Sequence, residues 1–252
     1  MTVTPSTDFL VRAAREFLRG GWVFTGFHWP VLAGQLAYAL NGKPFTQVFE
    51  AGASCHEAGR LVPTSTTDYP AYGNAIGYSG GTADVLLAMA RRFDRVVLDA
   101  SNVDILGRVN SSYVGDRDRP KVRLPGGGGS ADIAAVAREL VWLHGSEDLA
   151  RIQRRVEHVT ANPGPDSLVR LHTRWGIVRL GAELSLEELA PDTPGAGEFV
   201  QHLESLGAST AGCATREAVR GTERQAAAEV LRLAAARGYA VARRALHETE
   251  DL

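Results

Sequence analysis

A chain of 252 residues with 44% hydrophobic residues can bury a sizeable core, and 27 Lys and Arg against 29 Asp and Glu leave no basic field to draw in nucleic acid. No apolar run approaches the ~20 residues of a membrane span, the first residues lack the basic-then-apolar order of a secretion signal, and the spacing of Cys55 and Cys213 is no metal pattern. The expectation is one α/β domain over residues 1–252, cytoplasmic, without a metal, and with neither nucleic acid nor membrane as a partner.

Phe9, Leu10, Ala13, Phe17 and Leu18 stand at helical spacing and predict a first helix over 9–18, with Asp8 placed to cap it and Gly20 and Gly21 to end it. Trp22, Val23 and Phe24 read as a strand, 25–30 as a loop, and 31–40 as a second helix. The next strand covers 46–50 and ends at Glu50-Ala51-Gly52; an irregular stretch to about Asn74 follows, long enough to suspect function. Ser79, Gly80 and Gly81 then lead into a helix over 85–90, with Thr82 or Asp84 available as a cap. Ser79 and Gly80 are candidates for contacting a ligand, and a plain helix start is the alternative.

Val96-Val97-Leu98 is three adjacent branched residues, which suits a strand covered on both faces. Further on, Gly126 to Gly129 opens into Ser130, and Ile133, Val136, Ala137, Leu140 and Val141 recur at helical spacing, predicting a helix that runs on through Val141. Glycines without a Cβ at the start of a helix can hold an anionic oxygen on backbone N–H groups; a flexible linker is the alternative. Residues 169–173 and 176–180 alternate apolar with polar and predict an antiparallel hairpin. A Pro/Gly-rich break over 191–197 precedes a helical C-terminal segment, 198–252, in which 223–246 reads as one long helix.

Strands alternating with helices argue for a mostly parallel, partly mixed sheet with helices on both faces, where ligands sit beyond the carboxyl ends of strands. The 25–30 loop, Glu50 to Gly52 and the loop after Leu98 fall at that kind of edge and are expected to converge on one cleft. His28 and Trp29 stand in the first of these loops as substrate-binding candidates, with simple packing as the alternative. Asn110 and Ser111 lie between the strand at Val96 and the glycine run, where turn-forming side chains are equally expected.

Five segments in order resemble the B (β) subunit of family I CoA-transferases, most closely the glutaconate CoA-transferase type: Val48-Phe49-Glu50-Ala51-Gly52, Gly107-Arg108-Val109-Asn110-Ser111-Ser112, Val114-Gly115-Asp116, Pro120-Lys121, and Gly126 to Gly129 followed by Ser130 and Ile133-Ala134. The likeness covers roughly 8–182 and fades beyond Glu183. It implies that Glu50, in the Glu-X-Gly position, is the nucleophile and that Gly126, Gly128 and Gly129, in the Gly-X-Gly-Gly positions, help form an oxyanion hole. The residues suit those roles. A carboxylate is already ionised at neutral pH and can attack a thioester carbonyl, and open backbone N–H groups can take the charge that develops on oxygen.

The resemblance further implies coenzyme A, carried as acyl-CoA, as a substrate and a homologous A-type (α) subunit in a heterodimer or heterotetramer. Two rival expectations share the fold: an acyl-CoA hydrolase or ring-opening hydrolase, with a glutamate acting as a base, and a subunit that leaves the chemistry to its partner.

Overall fold

The computed structural model describes residues 5–40, 44–65, 68, 71 and 73–247. Two compact units are distinguished, one formed by Met1–Asp99 with Ala218–Leu252 and the other by Ala100–Glu217.

The first unit opens with helix α1 (Pro5–Leu18), which starts before the expected 9–18. Proline is suited to a first helical turn, where its missing N–H has no partner to lose. Asp8 therefore lies inside the helix and not at its cap. Its carboxylate takes two hydrogen bonds from Arg224, from Nε at 2.6 Å and Nη2 at 2.8 Å. Phe9, Leu10, Val11, Ala13, Ala14 and Phe17 of α1 are wholly buried. Strand β1 (Gly21–Thr25) follows, then α2 (Trp29–Ala39), which takes in Trp29 and Pro30 from the expected loop.

Strands β2 (Phe45–Val48), β3 (Ala53–Cys55), β4 (Ile76–Ser79) and β5 (Arg95–Asp99) complete this unit's sheet in the order β5-β1-β2-β3-β4. The β5, β1 and β2 strands are parallel, while β3 and β4 are added antiparallel. Val96 and Val97 are almost completely buried, as the apolar run predicted, and so are Val23 and Val48. Ser79, expected in the glycine-led entry to a helix, instead ends β4. A π-helical turn, Asp84–Ala88, and a tight 3-10 turn, Ala90–Arg92, come next, with the Asp84 carboxylate accepting from Gly81 N–H at 2.8 Å. Residues 66, 67, 69, 70 and 72 of the irregular stretch lie outside the described residues.

In the second unit, β6 (Asn102–Asp104) and β7 (Val109–Asn110) form a small sheet, and β8 (Tyr113–Gly115) pairs with β9 (Pro120–Arg123) as a separate hairpin. Helix α3 (Ser130–Val136) is followed directly by β10 (Glu139–His144), so the expected helix through Val141 stops early. Ala137 is extended, at φ −63° and ψ 135°. Its carbonyl accepts from Ser167 Oγ at 2.6 Å, and that of Arg138 from Leu168 N–H at 2.8 Å, so a neighbouring strand claims the backbone the helix would need. Leu140 to Leu143 are all buried, a run that periodicity alone cannot assign to helix or strand.

Strand β11 (Ile152–Gln153) joins β6, and β12 (Leu168–Thr173), β13 (Gly176–Leu180) and β14 (Ser185–Leu189) extend from β10. β10 and β12 are parallel, and the β12–β13 hairpin is antiparallel as expected. Helix α4 (Ala196–Ser205) and β15 (Ala214–Thr215) end this unit.

The chain then returns to the first unit as α5 (Gly221–Ala236) and α6 (Ala240–His247). The single helix expected over 223–246 is broken at Gly238, whose φ of 97° a helix cannot hold; Gly238 and Tyr239 N–H instead bond back to Ala235 and Ala234. Helix α5 packs on α1 and α2. The fold is therefore mixed α/β, with parallel cores extended by antiparallel strands. Residues 248–252 of the C-terminal segment lie outside the described residues. Among those described, no helix is long and apolar enough to cross a membrane.

Candidate active site

Because β5, β1 and β2 are parallel, their carboxyl ends share one edge of the first unit's sheet, and Asp99, His28 and Glu50 all come at or just after those ends. Beyond β2 the chain reverses tightly. Phe49 N–H donates to Ala53 O at 2.8 Å and Gly52 N–H to Phe49 O at 2.9 Å, leaving Glu50, Ala51 and Gly52 as a three-residue hairpin loop. Such loops want a glycine at the last position, and Gly52 has φ 106°. Glu50 is thus held half-exposed at a corner, with buried Phe49 as the anchor behind it.

Ser79 and Gly80 are brought against this corner. Ser79 pairs with Ala53, and Gly80 N–H donates to Gly52 O at 2.9 Å. A Cβ on Gly52 would stand 2.1 Å from the Gly80 carbonyl oxygen, so the strand end can pass only over a glycine. Further along this hairpin is Cys55, whose thiol burial pushes up to about 12, which keeps it neutral.

His28 caps α2 with φ 63° and is the one non-glycine residue of positive φ among those described. Such a conformation costs about 1–3 kcal/mol and is found where surrounding structure enforces it. Its Nδ1 lies 3.4 Å from Asp99 Oδ2, and its ring lies 4.9 Å from Phe27 and 6.5 Å from Tyr239. Trp29 points the other way: it is buried edge-on against Phe9, ring centroids 5.1 Å apart, and belongs to the core. Asp99 and Tyr239 were not singled out from sequence. For Asp99 a signal existed, since an acid ending a buried apolar strand faces the same edge as a histidine ending its neighbour.

In the second unit, Asn110 and Ser111 build the glycine turn rather than facing outward from it. The buried Asn110 side chain donates to Tyr113 O at 2.7 Å and accepts from Ser112 N–H at 3.1 Å. Ser111 O accepts from Gly126 N–H at 2.7 Å. Thr160 is the hub sequence reasoning did not assign. Its Oγ1 accepts from Ser111 N–H at 3.0 Å and lies 2.7 Å from Ser112 Oγ, and its methyl lies where a Cβ on Gly127 would be, 2.6 Å away.

Gly126 and Gly128 have φ 94° and 50°. The Gly126 N–H is committed to Ser111, whereas the N–H groups of Gly127 and Gly128 have no acceptor among the described residues, and Gly128 is exposed. Gly129, buried, lies at the start of α3. Since α3 is only 7 residues long, the N–H groups themselves rather than a long helix dipole would receive negative charge. Among the described residues, no three His, Cys, Asp or Glu side chains are placed to hold a metal.

A glutamate on a glycine hairpin corner, a braced glycine turn and mixed α/β sheets together define a chain of the CoA-transferase fold. Structural comparison agrees: glutaconate coenzyme A-transferase from Acidaminococcus fermentans superposes with a TM-score of 0.74 at 19% identity, covering 89% of this chain and 93% of that one. A variant of the decarboxylase AibA/AibB gives 0.75 at 22%, covering 91% and 95%, and Rhodococcus jostii IpdAB gives 0.62 at 15%, covering 88% and 92%.

In sequence, the chain is 32% identical over 140 residues to the B-type subunit of 3-oxoadipate CoA-transferase from Pseudomonas knackmussii. That match takes in 52% of this chain and 50% of the other, so the chain spans about half the length of the curated relative it matches. No family model matches. The resemblance to family I CoA-transferase B subunits is borne out by these two kinds of likeness.

Proposed function

We propose that this chain is the B-type subunit of a CoA-transferase that moves CoA from an acyl-CoA thioester to a carboxylic acid, with Glu50 as the nucleophile. The observation that carries this is the Glu50 corner, where a carboxylate is presented half-exposed by a turn that Gly52 and Gly80 lock in place. Glu50 attacks the thioester carbonyl and expels CoA thiolate, leaving an acyl-glutamyl anhydride. The thiolate then attacks the glutamyl carbonyl, releasing the first acid and leaving a glutamyl-CoA thioester. The acceptor carboxylate attacks that thioester, and the thiolate expelled again attacks the acceptor's carbonyl, restoring Glu50 and forming the new acyl-CoA.

The glycine turn is assigned the oxyanion that develops at each attack, Gly128 through its open N–H and Gly126 and Gly129 by shaping the turn. Ser79 and Gly80, packed against the Glu50 corner, contact the thioester, and His28, braced by Asp99, contacts the substrate acid. The relative is named as a subunit, which supports an A-type partner, in a heterodimer or heterotetramer. The acids in the names of two relatives, 3-oxoadipate and glutaconate, are dicarboxylates, so their CoA thioesters are the first to test. Two free cysteines fit a reducing, cytoplasmic setting.

The test is to incubate the chain and its partner subunit with acyl-CoA and no acceptor, then to reduce with borohydride or trap with hydroxylamine and weigh the peptide containing Glu50. A mass change on Glu50, absent in Glu50→Ala, is expected. Rapid thioester turnover with no such adduct would replace the transferase by base-catalysed hydrolysis or a related reaction, and no turnover under any pairing would leave a non-catalytic subunit.

A further inference from the structure

We propose that the β8–β9 hairpin is the subsite for the phosphate groups of the CoA nucleotide; this rests on the acyl-CoA reading above. Residues 116–123 read Asp-Arg-Asp-Arg-Pro-Lys-Val-Arg, and Arg117, Arg119, Lys121 and Arg123 are all exposed. In a chain of net charge −2 this is a local excess of cations. None of these four makes an ion pair with any of the described residues. The acids between them do not neutralise them. Asp116 Oδ1 is occupied in the turn, accepting from Asp118 N–H at 2.9 Å and Arg119 N–H at 3.0 Å.

The hairpin is also tied directly to the glycine turn. Its two strands leave and re-enter the segment that forms the glycine turn: Leu124 N–H donates to Ser112 O at 3.0 Å, one step before Gly126 N–H reaches Ser111 O. Tyr113 stacks on His158 with ring centroids 4.8 Å apart, and Glu157 accepts from Gly115 N–H at 3.1 Å, so the base of the hairpin is fixed from both sides. From Arg123 to Pro120 the strand covers about 10 Å at ~3.3 Å per residue. The cations therefore lie along a line leading away from the glycine turn. A thioester held at the turn would trail its pantetheine arm along that line, with a diphosphate and a 3′-phosphate at the far end. Guanidinium and ammonium groups free of internal partners are the chemistry that receives such a group.

The experiment compares two probes on the full chain and on Arg119→Gln/Lys121→Gln/Arg123→Gln, after confirming equal thermal unfolding. CoA carries every phosphate, and an acyl-pantetheine thioester carries none. The variant should lose about tenfold or more in CoA affinity, with acyl-pantetheine binding unchanged and a flatter dependence on salt. Equal CoA affinity in chain and variant would overturn the subsite while leaving the acyl-CoA reading intact. Equal loss for both probes would overturn it as general damage. If the unaltered chain binds an oligonucleotide but neither CoA nor acyl-pantetheine, the acyl-CoA reading fails and the hairpin is a nucleic-acid contact.

Discussion

Gly52 and Gly80 are packed so closely that only a glycine at 52 fits: a Cβ there would stand 2.1 Å from the Gly80 carbonyl oxygen. The contact joins the Glu50 corner to the end of β4, and a backbone hydrogen bond of 2.9 Å in the reverse direction closes it. Gly52→Ala should therefore cost about 2 kcal/mol or more of stability, from positive φ and collision together, and should abolish adduct formation on Glu50. Urea unfolding and mass analysis of the Glu50 peptide measure the two effects. Unchanged labelling would mean the corner tolerates displacement.

Thr160 braces the glycine turn through Oγ1 and fills space beneath Gly127 with its methyl. Thr160→Val keeps the methyl and removes the hydroxyl, so Ser111 N–H loses its acceptor. A loss of about 1–2 kcal/mol in stability is expected, with faster hydrogen exchange at Ser111 and Gly126 than elsewhere in the chain. Thr160→Ser, which keeps the oxygen, should retain the slow exchange.

Gln47 is fully buried in β2, pressed against Gly34 of α2, and neither end of its side-chain amide has a hydrogen-bond partner among the described residues. Replacing it by an apolar residue of similar volume removes a desolvation cost of about 1–3 kcal/mol. Gln47→Leu should raise the urea midpoint at unchanged slope. A fall in the midpoint would mean the site cannot repack around a branched side chain.

Glu187 stands between Arg170 and Arg179, at 2.8 and 2.7 Å. Burial pushes its carboxyl up, but hydrogen bonds and charge from the two arginines outweigh burial and hold it below the ordinary glutamate range. A folded pKa below the unfolded one stabilises the fold above the unfolded value, about 4.3, and that contribution disappears as pH falls through the lower folded value. Stability of the native chain should thus decline on acidification below about pH 5, and Glu187→Gln should make that decline shallower. Unfolding curves taken at pH 7, 5 and 4, or thereabouts, check the sign.

The spacing of residues alone determined much of this protein. The buried strands at Val23 and Val96 were legible as short continuous apolar runs, and the β12–β13 hairpin from its alternation of apolar with polar residues. The turn at Glu50-Ala51-Gly52 and the glycine run were legible because glycine is the residue that a positive-φ backbone accepts. Tertiary structure decided the rest. Leu140 and Val141 fit a helix as well as a strand, and it was Ser167 and Leu168, 30 residues beyond the Ala137 and Arg138 carbonyls they engage, that drew this backbone into a sheet. Gly238 looked like one more small residue in an alanine-rich helix until packing required α6 to turn back. Thr160 beneath Gly127, Gly80 over Gly52 and Asp99 beside His28 are pairings across loops and strands, and no local period records a contact that only chain reversal creates.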